Sequence, residues 1–496
     1  MSPSVPPSTS RLLPASAAQR VGFFLGVAAL AALALVPSGL HRIEGMGSRP
    51  AYAAGVAALM ALWWLTEAVP MAVTACVPLV LFPVFGVFGG GLASDVKSSF
   101  EPFVDAYIFL FLGGMTIGAG MERWGLHRRI AVHIMRAIGT EPKRLLLGML
   151  VSTAVVSMWI SNTATAVMMM PIAMAVLAQL QAASGNERLE HFGGAMMLAV
   201  AYACNVGGIG TKIGTGTNSI FAGFVAEKLH HDIGFLEYMA IGAPFVVIFL
   251  PVVWLSLWRT ARKDVIDSAG AREALDDELV AMGPMSAGER RVAVIFGVAA
   301  LFWIAGDPVR AALAPIVPVF WEGFQFKGKH YEAWVAMSAA AALVVTRSVS
   351  LASLRRLPWS TLVLLGGSFA MAAGIERSGL ARWMAGQVSL ITGMSPLSQI
   401  GLTTFATVML SAVASNTATI NVALNVLPPS LPLLSASMIG ASCDFMLPAG
   451  TPPNAIVFGS GYVRLPTMIR TGFLLDLSAV IVTTLYCHFY VAYLFR

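Results

Sequence analysis

The chain has 496 residues, of which 57% are hydrophobic and only 11% are charged, and its formal net charge is +6. A soluble domain has about 25% charged residues, so this composition excludes an ordinary soluble protein. The length suits roughly a dozen membrane spans of about 20 residues each. We therefore predict the fold class as an all-α polytopic membrane protein. Most Lys and Arg residues lie near span ends, which bears on orientation rather than on a nucleic-acid partner.

The first part of the chain predicts a tail followed by scaffold helices. Residues 1–20 are rich in Ser and Pro and predict a disordered N-terminal tail. Residues 21–103 hold the first scaffold helices, and 104–258 the first of two repeats. Apolar runs predict spans near 21–40, 51–66, 69–88 and 104–121.

The most basic stretch is 122–144, where apolar residues recur between six Lys and Arg residues close to helical spacing. That pattern predicts an amphipathic helix on a membrane surface. The positive-inside rule places it in the cytoplasm, together with the N-terminus.

A polar pentapeptide, Ser-Asn-Thr-Ala-Thr at 161–165, interrupts the next apolar stretch. Only sixteen residues separate Leu145 from Ser161, too few for a full crossing, so we predict a re-entrant hairpin with its tip at 161–163. Non-helical backbone at that depth must line an enclosed cavity. A broken helix at about 192–229 follows, with a Gly- and Thr-rich break ending at Asn218, and then a span at 238–258.

The remainder predicts a polar cytoplasmic loop at 259–290, scaffold helices at 291–357 with spans near 291–306 and 333–346, and a second repeat at 358–496. The pentapeptide recurs at 415–419 and predicts a second hairpin with its tip at 415–417. A second broken helix near 433–462 contains Leu-Pro-Ala-Gly-Thr-Pro-Pro-Asn at 447–454, and a last span lies near 467–493.

These features indicate an internal duplication. The pentapeptides are offset by 415 − 161 = 254, the same as the pairs Glu122-Arg123 and Glu376-Arg377 (376 − 122 = 254). The basic stretch at 122–144 carries six Lys and Arg residues and its counterpart at 376–398 carries two. By the positive-inside rule the repeats are inverted relative to each other. Inverted repeats with paired broken helices are typical of secondary transporters, with the site at the midplane.

The repeated motifs offer neutral polar groups at broken helices. Helix N-termini favour anions, whereas C-termini and unwound carbonyls favour cations. Ser, Thr and Asn add oxygens for a hard cation such as Na⁺ and donors for a carboxylate. A single Ser-Asn-Thr could be a helix N-cap or a polar contact between membrane helices. Two copies, each paired with a break, favour a site for an anion taken up with alkali cations.

The chain resembles the divalent anion/sodium symporters, the INDY-like transporters, from about residue 51 to its end. The segments that carry the resemblance, besides both Ser-Asn-Thr motifs, are 64–70 (Trp-Leu-Thr-Glu-Ala-Val-Pro), 109–114 (Phe-Leu-Phe-Leu-Gly-Gly), 121–124 (Met-Glu-Arg-Trp), 126–129 (Leu-His-Arg-Arg) and 451–461 (Thr-Pro-Pro-Asn-Ala-Ile-Val-Phe-Gly-Ser-Gly).

The resemblance implies eleven spans plus two re-entrant hairpins, a homodimer, and a transport domain that moves like an elevator. It also implies a C4-dicarboxylate held by Ser161, Asn162, Thr163, Ser415, Asn416 and Thr417, with Thr451 and Pro452 closing the pocket. One sodium site would use Ser157, Ser161, Asn162 and the carbonyl of Gly214. The other would use Ser411, the carbonyl of Ala414, Asn416 and the carbonyl of Gly450.

The chain departs from the family pattern at several positions. Ser411 stands where a Thr is familiar, and Gly216-Thr217 occupies the place of Pro452-Pro453, which loosens the first break. Lys212 lies beside the first sodium site. It is either a built-in cation that makes transport exchange-like, or a side chain that snorkels to the cytoplasmic face. Asp444 is a candidate for proton or cation coupling, with pairing to a neighbouring hydroxyl or backbone N–H as the alternative.

The leading functional prediction is sodium-coupled symport of C4-dicarboxylates (succinate, malate or fumarate) across a bacterial inner (plasma) membrane. The alternatives are a sodium-independent dicarboxylate exchanger and a sulfate or tricarboxylate transporter of the same family. An intramembrane enzyme or a channel is the rival class. The enzyme is disfavoured because the sequence holds neither His-Glu-x-x-His nor Gly-x-Ser-x-Gly. The channel is disfavoured because it would show pore-lining rings rather than two inverted hairpins. Na⁺ is the co-transported ion, lipid surrounds the protein, and no nucleic acid is a partner.

Overall fold

The computed structural model describes residues 16–41, 43, 45–184, 189–264, 269–313, 327–387, 393–448 and 450–495. Within them the regular structure is helical, apart from one isolated bridge between Ile43 and Gly47, which confirms the all-α prediction. The helices in chain order are α1 (Ala17–Leu35), α2 (Arg49–Thr66), α3 (Met71–Ala75), α4 (Val77–Phe85), α5 (Leu92–Phe100), α6 (Ala106–Trp124), α7 (Leu126–Ile138), α8 (Pro142–Ser157), α9 (Asn162–Ser184), α10 (Glu190–Gly208), α11 (Gly216–Lys228), α12 (Phe235–Ala261), α13 (Ala269–Met282), α14 (Ala287–Ile304), α15 (Gly306–Leu313), α16 (Gly328–Val345), α17 (Leu351–Arg355), α18 (Trp359–Arg377), α19 (Leu380–Gln387), α20 (Pro396–Val413), α21 (Asn416–Val426), α22 (Leu431–Ser442), α23 (Pro452–Phe458), α24 (Leu465–Tyr486) and α25 (Ala492–Leu494).

Seven helical stretches among the described residues are long and apolar enough to cross a membrane. The chain is therefore an integral membrane protein. The count of eleven spans plus two hairpins stays a prediction. The seven stretches are Ala17–Leu35, Leu92–Trp124, Asn162–Ala182, Phe235–Ala261, Trp359–Arg377, Pro396–Val413 and Leu465–Leu494.

Local sequence sets several helix starts. Ser16 caps α1 by accepting a hydrogen bond from the backbone N–H of Gln19, whose side chain bonds back to the N–H of Ser16. This reciprocal capping box satisfies two backbone donors that a helix start leaves open. The helix thus begins inside the predicted 1–20 tail, of which residues 1–15 lie outside the described residues.

One compact unit consists of residues 1–103 and 363–387. Its first two helices pack closely because α1 presents glycine to α2, and a Cβ added at Gly22 would overlap the side chain of Thr66. The rings of Phe23 and Trp63 stack at a centroid distance of 5.2 Å. Gly367 of α18 likewise lies directly against Ala75.

The other compact unit consists of residues 104–362 and 388–496, and it contains both pentapeptides and both breaks. Its most buried element is α10, in which every residue from Phe192 to Gly208 is buried. A Cβ added at Gly207 would overlap the backbone of Ala154 in α8, so glycine is what lets these two helices touch. The predicted scaffold and repeat boundaries remain predictions.

The loop predicted at 259–290 contains helix α13, which the sequence reading missed. α13 pairs with the basic helix α7 through Arg128–Glu278 and through Arg136 Nε–Asp276 Oδ1 at 3.2 Å. The polar composition of 259–290 did not distinguish a loop from a helix whose acidic residues pair with arginines of α7. The predicted helix within 122–144 is present as α7.

Candidate functional site

Each pentapeptide lies at the turn between two helices. α8 ends at Ser157 and α9 begins at Asn162, while α20 ends at Val413 and α21 begins at Asn416. In both copies the serine caps the second helix. Ser161 Oγ accepts from the N–H of Ala164 at 3.4 Å, and Ser415 Oγ accepts from the N–H of Ala418 at 3.2 Å. The N-cap role is compatible with the predicted site role, because the cap uses the serine hydroxyl and not the asparagine side chain.

The asparagine of each tip is held by a serine five residues earlier. Ser157 Oγ contacts the amide oxygen of Asn162 at 3.0 Å and the carbonyl of Cys204 at 2.9 Å. Ser411 Oγ contacts the amide oxygen of Asn416 at 2.9 Å and the carbonyl of Ala441 at 2.7 Å. The structure therefore brings Ser157 together with Asn162, and Ser411 with Asn416.

The same constellation of hydroxyl, amide and carbonyl oxygens is thus built twice from different parts of the chain. All of these oxygens are neutral, and neutral oxygens suit a hard monovalent cation. Among the described residues neither Asn162 nor Asn416 donates a hydrogen bond from its amide nitrogen. Both are half-buried, so each can donate to an anion.

The two broken helices are also held in the same way. Asn218 Nδ2 donates to the carbonyls of Gly208 and Thr211 at 2.7 and 2.6 Å. Asn454 Nδ2 donates to the carbonyls of Asp444 and Leu447 at 3.2 and 3.0 Å. In both copies the partners lie ten and seven residues before the asparagine. The break that Gly216-Thr217 was expected to loosen therefore has the same two bonds as the other.

Hydrogen bonds link the two broken helices to each other. Asn205 Nδ2 donates to Thr451 Oγ1 at 3.2 Å, and the hydroxyls of Thr217 and Ser442 lie 3.2 Å apart. Each bond joins the broken helix of one repeat to that of the other, and neither joins the two tips.

The predicted substrate residues differ in accessibility. Thr163 and Pro452 are exposed and Thr451 is buried, whereas Ser161, Asn162, Ser415, Asn416 and Thr417 are half-buried. Of the predicted sodium ligands, Ser157 and Ser411 are fully buried. Gly214, Ala414 and Gly450 lie in non-helical backbone, where carbonyls are not used up by a helix.

Lys212 does not snorkel, so the prediction that it reaches the cytoplasmic face is wrong. Its side chain is fully buried. Its Nζ lies 2.7 Å from Glu332 Oε2 and also donates to the carbonyl of Ile233. The ring of Tyr107 lies 5.2 Å from the same Nζ. Burial is tolerated because the ammonium is paired and hydrogen-bonded.

Asp444 has neither a hydroxyl nor a backbone N–H as a hydrogen-bond partner within the described residues, so its predicted pairing is wrong. Sequence reading also missed Asp476 and Asn205, which lie close by. The rule that singled out Asp444, an ionisable residue in an apolar span, applies equally to Asp476 in Thr-Gly-Phe-Leu-Leu-Asp-Leu. Asn205 gave no signal, because its partners follow about 240 residues later.

The fold and this duplicated neutral site define a class, a polytopic helical membrane transporter rather than an enzyme. The family model described as "Sodium:sulfate symporter transmembrane region" matches residues 17–496. The chain belongs to this family.

The chain is also similar to characterised relatives. It is 33% identical to a protein named sodium-dependent dicarboxylate transporter SdcS of Staphylococcus saprophyticus, over 95% of this chain and 91% of the relative. The SdcS protein of Staphylococcus aureus strain MSSA476 is also 33% identical, over 96% of this chain and 92% of its own length.

A solved structure shares the fold. The crystal structure of the YdaH transporter of Alcanivorax borkumensis matches with a TM-score of 0.55 at 13% identity, covering 80% of this chain and 88% of that one.

Proposed function

We propose that the protein takes up C4-dicarboxylates such as succinate, malate or fumarate together with Na⁺ across a bacterial plasma membrane. The observation that carries the proposal is the duplicated contact of Ser157 with Asn162 and of Ser411 with Asn416. Two matched sets of neutral oxygens suit two Na⁺ ions, and two amide groups suit the two carboxylates of one substrate. The names of the Staphylococcus relatives support both parts.

In this mechanism Na⁺ binding prepares the substrate site. A cation beside the amide oxygen of Asn162 or Asn416 polarises that amide and offsets the charge of a bound carboxylate. Ser161, Thr163, Ser415 and Thr417 would add donors, and Thr451 and Pro452 would close the pocket. The loaded unit would then move as an elevator within a homodimer.

The alternative is sodium-independent exchange with Lys212 as a built-in cation. The pairing of Lys212 with Glu332 disfavours it, since the positive charge is already balanced inside the protein. Sulfate is a second alternative substrate, because amide N–H groups can also donate to sulfate oxygens.

Uptake of labelled succinate into proteoliposomes, with and without an inward Na⁺ gradient, tests the proposal. We expect accumulation only with the gradient, and competition by malate and fumarate but not by sulfate. Flux that continues without Na⁺ and needs internal dicarboxylate would identify an exchanger instead.

The tips are tested by Asn162→Ala and Asn416→Ala. Each should lower uptake at least roughly 100-fold, because one substitution removes both an Na⁺ ligand and a carboxylate donor. Gln399→Ala is the matched control, since among the described residues its amide donates to the carbonyl of Met394 alone, at 2.9 Å. Full uptake in either tip variant would contradict the assigned site.

A further inference from the structure

An acidic cluster lies beside the second broken helix. Asp444 lies between α22 and α23, and Asp476 lies on α24; both are 0% exposed. Asp476 Oδ1 accepts from the backbone N–H of Phe445 at 3.0 Å, which ties α24 to the residue after Asp444.

Most side-chain oxygens of this cluster have no hydrogen-bond donor among the described residues. Among the described residues, Asp444 Oδ1 and Oδ2 and Asp476 Oδ2 have no hydrogen-bond partner. The amide oxygens of Asn205 and Asn454 have none either, although both amide nitrogens donate to the carbonyl of Asp444 at 3.0 and 3.2 Å. The hydroxyl of Tyr202, also 0% exposed, is a further oxygen without a hydrogen-bond partner in this part of the structure.

Backbone packing keeps the carboxylate of Asp444 in place. A Cβ added at Gly450 would overlap Asp444 Oδ2 and lie 2.7 Å from Oδ1. Glycine at 450 therefore lets the backbone approach the carboxylate closely. The ring of Tyr202 packs edge-on against the ring of Phe445, the residue after Asp444, at a centroid distance of 5.1 Å.

Among the described residues, no Lys or Arg pairs with either carboxylate of this cluster. Two carboxylates buried without a cation cost far more free energy than a fully hydrogen-bonded pair. Buried carboxylate, amide and phenol oxygens, with no donor aimed at them, match the ligand preference of a hard cation. The basic residue Lys212 cannot serve, because it is committed to Glu332.

We propose that this cluster binds one Na⁺, in addition to the two ions of the neutral sites, with Asp444 as the principal ligand. Asp476, Asn205 and Asn454 supply further oxygens, and the hydroxyl of Tyr202 lies at the edge. The choice of Na⁺ over other hard cations rests on the proposed function. The ion would be a third co-transported cation bound by charged rather than neutral oxygens.

Direct binding of radiolabelled Na⁺ to the purified full-length protein tests this proposal. Asp444→Asn keeps the shape of the side chain and removes its charge, and we expect it to bind one Na⁺ fewer per chain than the wild type. The Hill coefficient for Na⁺ in succinate uptake should fall by about one. Asp277→Asn is the matched control, because Asp277 is exposed and its loss should leave the Na⁺ count unchanged.

A second variant guards against misfolding of the first. Asp476→Asn can keep the bond to Phe445 through its amide oxygen, and we expect it to weaken binding of the third Na⁺ roughly tenfold. If Asp444→Asn does not yield folded protein, the Na⁺ affinity of Asp476→Asn decides whether the cluster binds Na⁺.

An unchanged Na⁺ count and affinity in folded variants would overturn the proposal. So would binding of Ca²⁺ in place of Na⁺, or uptake of protons that Asp444→Asn abolishes. The binding measurement needs no flux, so it is distinct from failure of the proposed function, which would show as wild-type uptake without Na⁺.

Discussion

At the scale of single residues, the most informative side chain is Lys212, which is fully buried and paired with Glu332. Lys212→Met should destabilise the protein by about 3 kcal/mol, because it strands a buried carboxylate. The double variant Lys212→Met/Glu332→Gln should regain most of that loss. Thermal unfolding in detergent measures both.

The matched control for this pair is Arg464→Met. Arg464 pairs with Glu190 at 2.6 Å, but its side chain is 70% exposed, so its loss should change stability by less than about 1 kcal/mol. If the double variant is as unstable as the single one, the two charges are not coupled. If it instead loses succinate affinity, Lys212 serves the substrate.

At the scale of elements, the two broken helices depend on one asparagine each. Asn218→Ala and Asn454→Ala each remove two hydrogen bonds to buried carbonyls, which should cost about 1–3 kcal/mol per unsatisfied group. We expect lower thermal stability in both variants and at least a tenfold loss of uptake, since the carbonyls proposed as Na⁺ ligands lie in these breaks.

Asn425→Ala controls for the loss of a buried amide. In the part of the chain that the structure describes, its Nδ2 donates only to the carbonyl of Asn421 in its own helix, at 2.7 Å, so neither break depends on it. Equal losses in Asn425→Ala and Asn218→Ala would show that the breaks have no special dependence on their asparagines.

At the scale of the whole molecule, the predicted inversion of the repeats implies opposite membrane sides for two exposed positions. In a background without the four native cysteines, Ala137→Cys on α7 should react with an impermeant maleimide only after the cells are permeabilised. Met394→Cys, just before α20, should react in intact cells.

Labelling of both cysteines from the same side would contradict inversion while leaving the duplication itself intact. Each variant should first be shown to take up succinate, so that its labelling reports the native topology.

The sequence predicted a large part of this protein because local signals carry it. Low charge and long apolar runs indicated the helical membrane fold, and the repeated Ser-Asn-Thr marked both turns between helices. The prediction failed where the structure of a polar stretch depends on partners far away in the sequence. The helix α13 sits in a stretch that looked like a loop, and it pairs with arginines about 140 to 150 residues away.

By itself, the sequence determined the class of the protein, the duplication and the position of each tip, since hydropathy and repeated motifs are properties of neighbouring residues. Only the tertiary structure decided which polar groups satisfy one another. It paired Lys212 with Glu332 and, within the described residues, left the carboxylate of Asp444 without a donor, because those outcomes depend on side chains that folding brings together from distant parts of the chain.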